Sequence, residues 1–361
     1  MRRILGLQDV EAAIRGGSVF AAGGGGWVEH GRILGTAAVT VGEPELVSMD
    51  EVPDDAFIAT AAAIGAPAGT TQWQMLGADY VKAVEMLQDA LGAPIYGLMI
   101  GQNGMSRTMN AWLPSALLGT KVVDAVGDVR AHPTGDMGSI GMAGSPEPTI
   151  QVAVGGHRAS HSYMELVVRG ATAKISPVLR KAADMSGGFI ASCRNPVRAS
   201  YVKQHAALGG ISLALELGHA IMAAEAKGGR AVIDSICRTT SGKILGTGTV
   251  TRKAVTYTDG AFDIGTITIR CGQRDFVLHV MNEYMAVEES NSRLATFPDV
   301  ITTLDSNGRP VSVGHIRDSA ELSIFHINKS HLPLSSSVKD PSVYPVVEAS
   351  LGIPITRYAL G

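Results

Sequence analysis

The loop Asp124-Ala125-Val126-Gly127-Asp128-Val129-Arg130-Ala131-His132-Pro133-Thr134-Gly135-Asp136 is the densest polar constellation in the chain. It gathers three carboxylates, a guanidinium and an imidazole. Carboxylate and imidazole together can hold a divalent metal, which turns a bound water into a nucleophile near neutral pH. Arg130 can clamp a substrate carboxylate in a bidentate fork. The bland reading is that the aspartates cap turns and Arg130 pairs with one of them. The clustering of five such groups after one strand tilts the balance toward chemistry.

Two further segments could serve the same centre. Asn282-Glu283 follows the strand Phe276 to Met281, where an amide can orient a ligand and a carboxylate can accept a proton. The alternative for this pair is a solvated strand end. The run Gly23-Gly24-Gly25-Gly26 closes a short apolar stretch, Ser18 to Ala22. Its bare amides can form an anion-binding nest, or the run can be a tight turn packed closely on a helix. Pro298-Asp299 reads as a turn, Lys243 as an edge-strand charge and Cys193 as a small buried hydrophobe. HExxH and GxxxxGK[ST] are missing, and Val28 stands where a dinucleotide fingerprint needs its third glycine. No nucleotide cofactor is expected.

The chain has 361 residues, enough for two or three domains, with 45% hydrophobic and 17% charged residues, as in globular proteins. Aromatics make up 5% and the formal net charge is −3, which argues against a nucleic-acid partner. Three scattered cysteines (Cys193, Cys237, Cys271) suggest neither a disulfide framework nor a zinc site, and point to a reducing, cytoplasmic compartment. The most apolar stretch, Ile58 to Ala68, is too short to span a bilayer. The expected partners are a small-molecule substrate and further copies of the chain, in a homo-oligomer.

The elements that must position these groups follow from periodicity. Residues 7–15 read as a helix stopped by Gly16-Gly17, with a strand then leading into the glycine run. Strands are expected over Asp55 to Ile64 (ending at Gly65-Ala66-Pro67), Ile95 to Ile100 and Lys121 to Val126, and helices over Ala78 to Leu91 and Met105 to Leu118. Strands alternating with helices imply a parallel sheet, with ligands beyond the strand carboxyl ends. Strands over 150–154 and Tyr163 to Val168 precede a helical block. In that block Ser176-Pro177 and Asn195-Pro196 read as helix starts, and Gly210 to Ala226 as a helix. Alternating Thr- and Val-rich runs with turns at Thr258-Asp259-Gly260 and Ser306-Asn307-Gly308 make the remainder β. The expectation is an α/β N-terminal domain with a mostly parallel sheet (1–168) and a C-terminal domain (169–361). The latter is helical over 169–229 and mainly β over 230–330, with a tail over 331–361.

In order along the chain, Gly23–Gly26, Gly65-Ala66-Pro67, Asp124 with Arg130 and Pro133, Gly210-Ile211-Ser212 and Gly242-Lys243-Ile244 form a series. Phe262 to Gly265, Asn282-Glu283, Pro298-Asp299-Val300-Ile301 and Gly308-Arg309-Pro310 continue it. The series resembles a bacterial family associated with desulfurisation of S-methyl-thiohydantoin and related rings, and covers nearly the whole chain. The resemblance implies a two-domain enzyme for small cyclic amides or their thio-analogues, linked to hydantoin metabolism and assisted by a divalent metal such as zinc or manganese. It also implies acids where this chain has Met99, Val126 and Thr134. The expected activity is hydrolysis, with water attacking the ring at C2 and sulfide or thiol leaving. Asp124, His132, Asp136 and Glu283 would ligate metal or move protons. Arg130, Asn282 and Gly23–Gly26 would bind substrate, the glycine amides facing developing negative charge. The alternative is a non-catalytic binder, or a subunit of a hydantoinase-like assembly, that has lost the family's acids.

Overall fold

The computed structural model describes residues 2–65, 73–258 and 262–361. Ala66-Pro67 and Asp259-Gly260, read above as turns, lie outside the described residues.

The chain builds two sheets. The first takes β1 (Arg2–Ile4), β2 (Glu45–Val47), β3 (Phe57–Gly65), β4 (Gly97–Gln102), β5 (Lys121–Asp128), β6 (Pro148–Gly155), β7 (Met164–Ala171), β8 (Phe189–Arg198) and β9 (Ala207–Leu208). Their order is β1-β2-β5-β4-β3-β8-β6-β7, with β9 pairing β5. The central strands β2-β5-β4-β3 run parallel, and β8, β6 and β7 continue the sheet antiparallel. The helices α1 (Leu7–Phe20), α2 (Val28–Val41), α3 (Gly77–Leu91), α4 (Trp112–Leu118), α5 (Thr172–Met185), α6 (Ala199–His205), α7 (Gly210–Glu225) and α8 (Gly229–Thr240) complete this half. The second sheet is antiparallel, built from β10 (Lys243–Thr258), β11 (Phe262–Cys271), β12 (Arg274–Met281), β13 (Glu283–Glu289), β14 (Ser292–Thr296), β15 (Val300–Leu304) and β16 (Glu321–Ile327). The N-terminal unit is thus α/β, and the C-terminal part combines helices with an antiparallel sheet. Among the described residues no helix is long and apolar enough to cross a membrane.

The main departures from the sequence reading concern helix ends. α1 does not stop at Gly16-Gly17, and 18–20 are its last turn rather than a strand. Each interior glycine costs a helix about 1 kcal/mol, but a Cβ on Gly16 would collide with the Ala214 carbonyl of α7, and one on Gly17 with Gly104. Close packing against α7 outweighs the local penalty. Pro177 falls inside α5, not at its start, and Asn195-Pro196 lies within β8. Residues 230–240, expected as β, extend the helical block as α8, and α2 gave no sequence signal that was read.

Candidate active site

Beyond the carboxyl ends of β3, β4 and β5, where a parallel sheet places its ligands, lies a narrow well of about 30 Å³, room for about two waters. Three guanidiniums converge on it: Arg107 from the turn after β4, Arg180 from α5 and Arg194 from β8. His132, Gln102 and Asn110 share the lining. Arg107 and Arg194 are buried and Arg180 half-buried. Burial pulls all three pKa values down, to about 10 for Arg180 and Arg194, so they remain cationic at neutral pH. Mutual repulsion among them adds to that pull. Among the described residues, the Nε groups of Arg107 and Arg194 and the Nε2 of Gln102 find no acceptor. A cationic pocket with unused donors fits an oxyanion. Arg180 also donates to the Pro133 carbonyl at 2.6 Å and lies over the Phe262 ring, 4.6 Å from its centroid. Past Arg180 opens a chamber of about 320 Å³, with Phe262, Pro177 and Val346 in its apolar lining and Asp136 and Lys181 at its polar side.

Behind the arginine wall stands Glu283, 1% exposed, at the start of β13. Burial pushes its carboxyl up to about 7, against the opposing pull of Arg107, Arg130 and Arg180, while Asp263 pushes it further up. Among the described residues its Oε2 has no hydrogen-bond partner. The glycine run packs directly on it: a Cβ at Gly24 would overlap Glu283 Oε1, one at Gly23 would come 2.7 Å from the Tyr284 ring, and one at Gly26 would strike Ser106. Loop and strand are tied by Tyr284 N–H to Ala22 O (2.8 Å) and Val313 N–H to Gly23 O (2.9 Å). The Gly24 amide itself is spent on Ala21 O at 2.8 Å, so at that residue the run is a close-approach surface for Glu283 rather than an open nest. Asn282 takes φ +58° and exchanges two 2.8 Å hydrogen bonds with the Asp263 backbone, one through Oδ1 and one through its own N–H. It shapes the chain for Glu283 and lines neither cavity.

The loop after β5 separates into different roles. Asp124 accepts hydrogen bonds from the Ile211 and Ser212 amides (3.0 and 3.1 Å) and the Ser212 hydroxyl (2.5 Å), capping α7. That corrects its expected place among the proton-transfer groups, since its oxygens face a helix N-terminus. Arg130 likewise offers no fork to a ligand. Fully buried, it donates to the carbonyls of Ala131 (2.7 Å), Tyr284 (2.8 Å) and Asp299 (3.0 Å), and its guanidinium lies 5.0 Å from the centroid of the Phe297 ring. It joins the two halves of the molecule. His132 does reach the well, with Nδ1 2.8 Å from the Thr134 carbonyl and Nε2 3.3 Å from the Gly101 carbonyl. Burial drives its pKa down to about 3, helped by Arg194 and Arg107, so it is neutral. Asp136 stands at the chamber beside Arg194, its pKa raised by burial. Asp128, buried at the end of β5, has no partner in good geometry on either carboxylate oxygen among the described residues. Burial pushes it to about 7, and the Arg130 guanidinium offsets this only in part.

Of the predicted residues, then, the fold brings Glu283 and Gly24 into contact and puts His132 and Asp136 at the cavities, while Asp124, Arg130 and Asn282 act elsewhere as supports. Among the described residues no three His, Cys, Asp or Glu side chains group to hold a metal ion. Met99 and Val126 are buried in apolar clusters, Val126 against Gly210 of α7, and Thr134 lines the well. Sequence reasoning missed Arg107, Arg180, Arg194 and Asp263. No spacing links these residues, which come from four separate elements.

Comparison with known proteins accords with this architecture. The X-ray crystal structure of a protein from Chromobacterium violaceum superposes with a TM-score of 0.73 at 20% identity, covering 100% of this chain and 98% of that one, a likeness of fold. No curated protein matches. Family models described as the S-Me-THD-like N-terminal domain and the S-Me-THD-like C-terminal domain match residues 8–166 and 171–334. The chain belongs to the S-Me-THD-like family, that of the S-methyl-thiohydantoin desulfurase-like proteins.

Proposed function

We propose that the protein hydrolyses a small thiohydantoin-like cyclic amide, using Glu283 to activate water. The observation that carries this reading is the Glu283 carboxyl, buried, lacking a partner on Oε2 and poised at about 7, beside three arginines. At that pKa a carboxyl can take and return a proton near neutral pH. The well admits a group the size of a carboxylate, and the chamber lined by Phe262 and Arg180 the ring. Neither cavity is lined by Glu283 itself, so in this reading its proton is relayed through intervening water. Water oxygen adds to C2 as its proton passes to Glu283. The tetrahedral adduct then collapses: its hydroxyl gives up the second water proton as C2 becomes a carbonyl and the C–S bond breaks. A thione sulfur thus leaves with both protons as hydrogen sulfide, whereas from an S-methyl ring methanethiol takes the proton returned by Glu283 and the ring nitrogen takes the other. Cationic Arg107 and Arg180 offset negative charge on the adduct.

The alternative, a binder without catalysis, draws on Met99 and Val126, which pack in apolar clusters where the family resemblance implies acids. One assay separates the two. Purified protein is incubated with thiohydantoin propionate, with and without zinc or manganese, and sulfide is measured. Release that falls about 100-fold or more in Glu283→Gln supports hydrolysis. Ligand-induced thermal stabilisation without sulfide under any condition overturns it in favour of the binder.

A further inference from the structure

The first sheet ends at β7, which pairs only with β6 among the described residues. This edge is unlike the other sheet ends. β7 is 8 residues long and in unbroken register with β6, whereas β1, β14 and β15 have 3, 5 and 5 residues. It carries no proline. Its side chains alternate: Leu166 and Val168 pack with Leu179, Ala182 and Ala183 beneath α5, while Glu165, Val167 and Arg169 lie on the opposite, exposed face. Val167, at the middle of the strand, is 42% exposed. A long, regular, unbulged edge with an exposed β-branched residue is a template for another strand.

The residues along that edge are complementary to themselves. When two copies of the strand run antiparallel with Val167 opposite Val167, Glu165 of each copy faces Arg169 of the other, twice across the two-fold axis. On the reverse face Leu166 meets Val168. Opposite charges and apolar pairs directly across a strand pair are the contacts that stabilise sheets, and an isologous contact of this kind closes at two copies. In the single chain both charged groups hydrogen-bond at the surface: Arg169 with the Ala90 carbonyl at the end of α3, and Glu165 with the Tyr163 hydroxyl at 2.7 Å.

We propose that β7 is a homodimer interface, through which the first sheet continues into that of a second copy centred on Val167. The inference is independent of the reaction assigned above.

Sedimentation velocity on the full-length chain at micromolar concentration tests it. The wild type should sediment as a dimer. Glu165→Arg places arginine opposite arginine twice, and Arg169→Glu places glutamate opposite glutamate twice. Each should weaken the dimer about tenfold or more. The double variant Glu165→Arg/Arg169→Glu restores opposite charges and should restore the dimer. Because Arg169→Glu also loses its contact with α3, amide exchange on the wild type gives a second reading. Exchange across 164–171 should slow as protein concentration rises. A monomeric wild type overturns the proposal. So does a dimer indifferent to the single reversals, a double variant that stays dissociated, or β7 exchange independent of concentration.

Discussion

Glu283 Oε1 occupies the space that a Cβ on Gly24 would need, so the glycine and the carboxyl form a matched pair from opposite ends of the chain. Gly24→Ala should therefore push the carboxyl or the loop aside. Overpacking of this kind costs about 1–3 kcal/mol. The melting temperature should fall, and sulfide release should fall with it. A variant that melts and turns over like the wild type would separate the glycine run from the carboxyl.

The raised pKa of Glu283 fixes the sign of a pH effect. The folded protein holds this proton up to about 7, whereas an unfolded glutamate loses it near its ordinary value of 4.5. Between those values the native state binds more protons, so this group's contribution to stability declines as pH rises. Glu283→Gln removes the penalty. Relative to wild type the variant should gain stability from about pH 4.5 to above 7, by an amount on the order of 3 kcal/mol. Paired thermal melts across that range measure the difference and cancel the opposite slope from His30 and His132, whose pKa values are lowered. A flat difference would show that the carboxyl is not held protonated.

Arg107→Ala and Arg194→Ala each remove a donor from the well. Calorimetric affinity for a carboxylate-bearing thiohydantoin should drop about 10- to 100-fold, since charged hydrogen bonds are worth roughly 1.5–3 kcal/mol. Relief of repulsion among the remaining guanidiniums should leave the melting temperature unchanged or higher without ligand. Unaltered affinity would mean that the anion binds elsewhere.

Asp124→Ala separates a structural from a chemical role. Loss of the α7 cap should cost about 1–2 kcal/mol in denaturant unfolding. Turnover per folded molecule should stay within about twofold, as Asp124 lines neither cavity. A selective loss of turnover would restore it to the reaction.

The sheet-forming segments were legible because they obey local rules. The buried run at 57–65 and the 3.6-residue stripe of Val81, Val84 and Leu87 point to β3 and α3 before any packing is known. Gly16-Gly17 misled because its local preference is overridden by a helix crossing, visible only once α7 lies against α1. Glu283 and the glycine run stood out through their residue types, although the strand expected before the glycines is the last turn of α1. The arginine well was not, because guanidiniums from a turn, a helix and a strand have no common spacing. Asp124 and Arg130 were noticed for the right chemistry and assigned the wrong task. A charged side chain in a polar loop looks the same in sequence whether it caps a helix or faces a cavity.

The position of β8 has a consequence for synthesis. Residues 189–198 lie between β3 and β6 in the finished sheet, so a nascent chain that has cleared the ribosome only through residue 168 exposes two mid-sheet borders with nothing to fill them. Such borders are sticky. The first sheet therefore becomes continuous from β3 to β6 only once residues 189–198 are available to pair on both sides.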